Sequence, residues 1–452
     1  NNPKQLWKSV NLIRGKGSKT TNVSSLKIDE ETITGDKNIA EAFNSFFVSV
    51  GPSLSQSLPE SQKSYSDYVQ HPTLNTFSFS EVSENDTLKL LCGLKESKAA
   101  GPDKINTKLV KDSAEVICPT LTKIFNRSLQ QGIFPEELKT AFVSPIYKNG
   151  DKSDCSNYRP ISILSTIAKI LEKTVYNQLI SYINENNILS GNQFGFRKSH
   201  STVTSLLNAT SNWLLNIDKG LINGVLFLDL RKAFDTVDHI ILIEKLKLYG
   251  ITGGALKWFI SYLEKRYQTC KMNNVKSSRK LIKCGVPQGS NLGPLLFLLY
   301  VNDLPNCLDQ AKPSMFADDT NISVSAESVD ELEEKLNTDL SNIYQWLVEN
   351  KLTLNVSKTE YMIIGSRNNL SKINVDPTIK IGGDSINRVK TTKSLGVVID
   401  DKLRWEDHID SISKKVSSGI GAIKLIKPYV PKDCLNQIYN ALVQPYFDYC
   451  SL

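Results

Sequence analysis

The sequence predicts an α+β fold, on three observations. Residues 80 to 220 carry helical start and stop signals, with few strand-like runs. From 224 onward, short apolar runs of strand length alternate with helical patterns. Within that second part, "SMFADDTNISVS" (314 to 325) reads as a β-hairpin with two acids at its tip.

The elements follow in order. "NIAEAFNSFFVSVG" (38 to 51) is an amphipathic helix that the pattern closes at Gly51, and 52 to 76, rich in Ser, Pro and Gln, reads as a linker. "ICPTLTKIFNRSLQQGIFPEELK" (117 to 139) is a helix whose stop is marked by Gly132 and Pro135. In "NGVLFLDLRKAFDTVDH" (223 to 239), Val225-Leu226-Phe227-Leu228 is a continuous apolar run suited to a strand buried on both faces. "CGVPQGSNLGPLLFLLYVNDLP" (284 to 305) is a tight Gly-Pro loop leading into an apolar helix. Ser290 or Asn291 caps it, Pro294 fits its first turn and it ends before Pro305. Strand-like runs continue to "SLGVVIDDKLRW" near 405, and 406 to 452 is helical in pattern.

At 452 residues the chain is too long for one core, so two or three domains are expected. Its 40% hydrophobic and 22% charged content excludes a disordered chain. The balance of 54 Lys+Arg over 47 Asp+Glu, net +7, suits a polyanionic partner but is too small to identify one. Eight cysteines with no CxxC pair and no zinc-finger histidine read as reduced thiols of an intracellular protein. The run "LGPLLFLLYV" is too short to cross a bilayer, so no membrane association is expected. "NNPKQLWKSVNLIRGKG" has no apolar signal core, and "ALVQPYFDYCSL" stops without a cap. The chain therefore reads as a fragment of something longer.

The chemistry gathers on carboxylates. Asp229 stands at the exit of the buried run, where a strand holds a side chain rigid at a cleft. Asp318 and Asp319 repel each other unless something neutralises them. Three acids from two strands suit two Mg²⁺ ions, hard cations that prefer oxygen, and such a pair clamps both oxygens of a phosphoryl displacement. Phe234, a turn beyond Asp229, is placed to exclude a 2′-hydroxyl, and Gln288 to meet a nucleotide or template backbone. Arg159, Lys169, Arg197 and Lys198 are candidates for triphosphate or nucleic-acid backbone, and Lys358 for protonating a leaving pyrophosphate. Each has a plainer reading when taken alone: an acidic turn, a core aromatic, a loop that caps a helix, solvated charge, a strand-edge lysine. Serine or cysteine hydrolase chemistry finds no support, because the four histidines, at 71, 200, 239 and 408, sit in no nucleophile motif. His200 and His239 read as surface or loop residues.

The order of the blocks decides between these readings. "AAGPDKI", "NYRPISILSTIAKILEK", "QFGFRKSHST", "FLDLRKAFDTVDH", "GVPQGSNLGPLLF", "FADDTNI", "LNVSKTEYM" and "SLGVVIDDKLRW" occur in register from about 95 to 405. The chain resembles the reverse transcriptase of non-LTR, LINE-type retrotransposons of the jockey-like or CR1-like kind. The resemblance implies a right-hand polymerase whose palm packs an antiparallel sheet on helices. The implied boundaries are an N-terminal extension and linker at 1–94 and a fingers-rich region at 95–224. The palm follows at 225–365, a primer-grip hairpin region at 366–405 and the start of the thumb at 406–452.

By the same resemblance, Asp229, Asp318 and Asp319 are catalytic and hold two Mg²⁺, with Mn²⁺ as a substitute. Phe234 becomes the sugar gate. Gln288, Arg159, Lys169, Arg197 and Lys358 become nucleotide contacts, and Leu395-Gly396-Val397 the primer grip. Implied partners are an RNA template, a DNA primer, dNTPs and an RNA-binding protein encoded by the same element, with cytoplasm and nucleus as the compartments. The competing reading is an inactive, truncated or domesticated RNA-binding copy. An RNA-dependent RNA polymerase would need a polar residue where Phe234 stands, and a nuclease or phosphatase has no use for "GVPQGS".

Overall fold

The computed structural model describes residues 7, 11–12, 23–28, 31–59, 64–70 and 73–451. Most of the segment before residue 23, and His71, lie outside them. The architecture is α+β, built on two five-stranded sheets with helices packed against them.

The central sheet takes its order from burial. Strand Ile222–Leu228 is the apolar run expected to be buried on both faces, and it lies in the middle. Val225 and Leu226 are fully buried, each contributing about 1.5–3 kcal/mol relative to exposure. Strands Asp319–Ala326 and Glu360–Ile364 flank it, both antiparallel. Lys312–Phe316 closes one edge and Asn387–Arg388 the other. Helix Val329–Glu349 covers one face, burying Leu332, Leu336 and Leu340 in the same core as Leu226 and Ile322.

The second sheet holds Tyr158–Ile163, Thr140–Tyr147, Tyr267–Met272 and Val275–Lys276, with Lys280–Leu281 also on Tyr267–Met272. Its first two strands correct the helix-rich reading of 80 to 220. Thr140–Tyr147 pairs in parallel with Tyr267–Met272, more than a hundred residues on, a partner that no local pattern announces.

Helix Asp36–Gln56 lies against this second sheet and corrects the expected stop at Gly51. It runs through Gly51 and Pro52. A Cβ at residue 51 would meet Cys284 Sγ at 2.3 Å and the Asp235 carbonyl oxygen at 2.5 Å. Glycine is there for close approach, not for a cap. Gly132 does what was expected of it: it ends helix Ala114–Gln131 at φ 67° with Pro135 beyond. Helix Gly293–Tyr300 starts with Pro294 in its first turn, and Ser290 Oγ accepts from Gly293 N at 2.8 Å.

The eight cysteines are all free, four of them buried. Among the described residues no helix is long and apolar enough to cross a membrane. Helices Glu406–Ile426, Lys432–Leu442 and Gln444–Asp448 follow the last hairpin, as the pattern of 406 to 452 implied.

Candidate active site

Asp229 is the first residue beyond the central strand. Asp319 opens the neighbouring strand, whose next residue, Thr320, pairs with Leu228. Continuing that register sets Asp319 opposite Asp229. Phe316 pairs with Asp319, so Ala317 and Asp318 form a two-residue turn, and the hairpin with acids at its tip is present.

The turn is strained and held. Ala317 sits at φ 58°, a left-handed conformation that costs a non-glycine residue about 1–2 kcal/mol. Gln193 Oε1 accepts from Ala317 N at 3.0 Å and from Gly195 N at 2.8 Å, and Phe194 N donates to the Met315 carbonyl at 2.8 Å. The loop bearing "QFGFRKSH" thus runs beside the hairpin and fixes its acids.

Asp229 is held through its own backbone and side chain. Asn355 Nδ2 donates to Asp229 Oδ2 at 2.7 Å, and Asn355 N to the Asp229 carbonyl at 2.7 Å. Burial raises the carboxyl pKa of Asp318, with the charge of Asp229 adding to it. Asp319 reaches solvent at its strand edge, yet the crowded cleft desolvates it too. Its pKa is raised by that burial, then by Asp318 and Asp229. Arg159 and Lys148, from the adjoining ends of the second sheet's paired strands, pull both back toward ionisation. Neither cation forms an ion pair with the acids among the described residues.

The structure therefore brings Asp229, Asp318, Asp319 and Arg159 into one electrostatic neighbourhood. Among the described residues no three His, Cys, Asp or Glu side chains converge closely enough to grip an ion as they stand. The donor set itself suits Mg²⁺: all-oxygen, anionic, and carrying repulsion that a cation relieves.

A second group gathers at the loop after the central strand. Phe234, in the turn Ala233–Asp235, stacks on Phe297 with ring centroids 4.4 Å apart and meets Phe196 edge-on at 6.5 Å. It is half-buried, one face on the core. Gln288 Nε2 donates to Asp235 Oδ1 at 2.8 Å, and Ser162 N donates to the Gln288 carbonyl at 2.7 Å. Burial pushes the Asp235 carboxyl up to about 6, against the opposing bond from Gln288 and the charge of Lys232.

The other candidates are placed differently. Arg197 spends its guanidinium on backbone, with Nη1 donating to the Ser190 and Gln193 carbonyls at 2.8 and 3.0 Å. Lys169 sits on helix Thr166–Glu185 beside Glu172, behind the 284–293 loop, and burial lowers its pKa. Lys358 is exposed in the short turn Val356–Lys358, three residues past Asn355. Leu395 and Gly396, at φ 45° and 93°, form the tight turn between strands Thr391–Ser394 and Val397–Asp400. The Tyr449 hydroxyl donates to the Leu395 carbonyl and shares a hydrogen bond with the Thr202 hydroxyl at 2.9 Å, tying that hairpin to two helical segments.

Sequence reasoning missed Lys148, Gln193, Asp235 and Asn355. Gln193, Asp235 and Asn355 lie inside the quoted blocks, each within six residues of a residue that was singled out, and that proximity was the available signal. His239 corrects its surface reading. It is half-buried, its Nε2 lies 2.8 Å from the Gly285 carbonyl, and burial lowers its pKa. His200 is half-buried at the surface loop, its Nδ1 3.0 Å from the Lys198 carbonyl.

The cleft thus joins strand-exit acids on adjacent antiparallel strands with cations from a second sheet. Residues 146–399, more than half of the chain, match the family described as reverse transcriptase (RNA-dependent DNA polymerase), and the chain belongs to it. It is 27% identical over 396 residues to the RNA-directed DNA polymerase from mobile element jockey of Drosophila melanogaster, covering 84% of this chain and 42% of that protein. It is 29% identical over 360 residues to the probable RNA-directed DNA polymerase from transposon BS of the same species, covering 77% and 39%. The corresponding enzyme of transposon X-element matches at 29% over 331 residues, covering 72% and 36%. The chain thus spans about two fifths of the length of these relatives, which belong to non-LTR, LINE-type elements.

Proposed function

We propose that the chain is the RNA-directed DNA polymerase of a non-LTR retrotransposon, adding dNTPs to a primer 3′-hydroxyl on an RNA template. The observation that carries this is the placement of Asp229 opposite Asp319, with Asp318 in the turn between strands, so that three carboxylates act on one another's charge. Membership of the reverse transcriptase family implies a right-hand polymerase fold, and the α+β architecture is consistent with it. The palm is 225–365, with most of the central sheet in it, and the fingers-rich region is 95–224. The hairpin region 366–405 holds the primer, and 406–452 begins the thumb.

Asp229, Asp318 and Asp319 are the residues to hold two Mg²⁺, or Mn²⁺ in their place. When bound, these ions lower the pKa of the primer hydroxyl and neutralise the triphosphate. The chain's own residues do the rest. Asn355 orients Asp229, and Gln193 holds the strained turn that presents Asp318. Arg159 and Lys148 bring positive charge toward the phosphates. Phe234 stands where a 2′-hydroxyl would fall, its ring fixed by Phe297. Leu395-Gly396-Val397 steadies the primer, and Lys358 and Lys169 meet the nucleotide or template. Template contacts run to the backbone, so binding weakens steeply with salt and depends little on sequence. The work is done in cytoplasm and nucleus, with an RNA-binding protein of the same element as partner.

The test is primer extension on poly(rA)/oligo(dT) with dTTP and Mg²⁺, wild type beside Asp318→Asn. Extension by wild type alone supports the assignment. Absent extension with salt-sensitive RNA binding intact overturns it in favour of a binding protein.

A further inference from the structure

Gln288 is pinned from two sides. Its carbonyl accepts from Ser162 N at 2.7 Å, and its side-chain Nε2 donates to Asp235 Oδ1 at 2.8 Å. Asp235 is itself locked. Cys284 Sγ donates to the Asp235 carbonyl at 3.3 Å, while Gly285 N and Val286 N donate to the Val237 and Phe234 carbonyls at 2.7 and 2.8 Å. The segment 234–237 and the loop 284–288 are therefore zipped together, and helix Asp36–Gln56 closes over them at Gly51. Asp235, Gln288 and the buried Arg266 line one small cavity. Asp235 Oδ2 and Arg266 Nε and Nη2 have no partner there among the described residues.

An ionised carboxylate accepts and cannot donate, so it compels an amide beside it to turn its NH₂ inward. The amide oxygen is then the atom left over, and Gln288 Oε1 has no donor among the described residues. We infer that Asp235 is a positioning residue that locks the Gln288 amide with its carbonyl oxygen toward the cleft, so that Gln288 reads a hydrogen-bond donor of the nucleotide or template. The group so read is a sugar hydroxyl or a base N–H, never a phosphate oxygen. The inference rests on the polymerase reading and names the chemistry of one of its contacts.

The test has two arms on the full chain. The first uses protein labelled with ¹⁵N on glutamine, the Gln288 amide being assigned by its loss in Gln288→Ala. Wild type should show a shifted amide pair in slow exchange with water, and Asp235→Asn a pair returned to solvent-like values. A solvent-like pair in wild type overturns the inference. This arm needs no turnover, so failure to copy a template would sink the polymerase reading separately.

The second arm is a double-mutant cycle on the dTTP KM. Each single substitution, Gln288→Ala or Asp235→Asn, should raise KM by up to about tenfold, the worth of one well-placed hydrogen bond. The double variant should rise no further than Gln288→Ala alone. Multiplied effects would show that Asp235 acts by some other route. Asp235→Glu, which keeps an acceptor-only group, should restore part of the loss.

Discussion

Two sets of charges in the molecule are treated in opposite ways. In the helical core, Lys245 and Asp303 are almost fully buried and paired at 2.7 Å. Lys245 Nζ also donates to the Tyr300 carbonyl at 2.6 Å, and Trp346 Nε1 donates to Asp303 at 3.2 Å. At the strand exits, Asp229, Asp318 and Asp319 crowd together with cations near but none bonded to them. The first set is neutralised from within the chain. The second waits for charge from outside it. Burial of charge is tolerated only with compensation, so the uncompensated set is where a ligand belongs.

The largest expected effect breaks the second set. Asp318→Asn should lower primer extension by about 10³-fold or more, with RNA affinity within about twofold of wild type. Equal extension rates in the two proteins would remove Asp318 from the chemistry. Breaking the first set should show in stability instead. Asp303→Ala leaves a buried lysine unpaired and should cost about 3–5 kcal/mol in urea unfolding. Replacing both partners by Met and Leu should recover most of that loss, and a single variant as stable as wild type would mean the pair is not what holds the region.

Phe234→Ala sharpens the comparison from the substrate side. The ratio of ribonucleotide to deoxynucleotide incorporation should rise about tenfold or more, as expected when a steric exclusion is removed. An unchanged ratio puts the gate elsewhere.

The smallest effects come from linkage. Mg²⁺ at about ten times its dissociation constant should stabilise wild type by about 1.4 kcal/mol and Asp318→Asn by less, read as a melting shift without turnover. The pH dependence has a definite sign. Asp318 and Asp319 have folded pKa values above the ordinary 3.8, so between the two values the folded chain holds the extra proton. Their contribution to metal-free stability is therefore greatest below pH 3.8 and is lost as pH rises through the raised values. Asp235 follows the same course, its contribution lost as pH rises from 3.8 through about 6. Melting of wild type minus that of Asp318→Asn should fall with rising pH, and a difference that climbs would reverse the assigned shift.

The sequence by itself determined whatever depends on neighbours along the chain. Gly132 ends a helix because its own backbone allows φ 67°, and the apolar run at 225–228 must be a buried strand wherever it lies. The three acids and the hairpin around Asp318 were legible for the same reason. Tertiary structure alone decided the rest. Gly51 looks like a helix stop until Cys284 and Asp235 are seen against it. Strand Thr140–Tyr147 gains its state from Tyr267–Met272, and Lys148 reaches the acids only because that second sheet abuts the first. The orientation of the Gln288 amide depends on a carboxylate 53 residues away. Periodicity and backbone preference are local and can be read along a sequence. Charge compensation and hydrogen-bond direction are settled by whichever groups folding brings within about 3 Å.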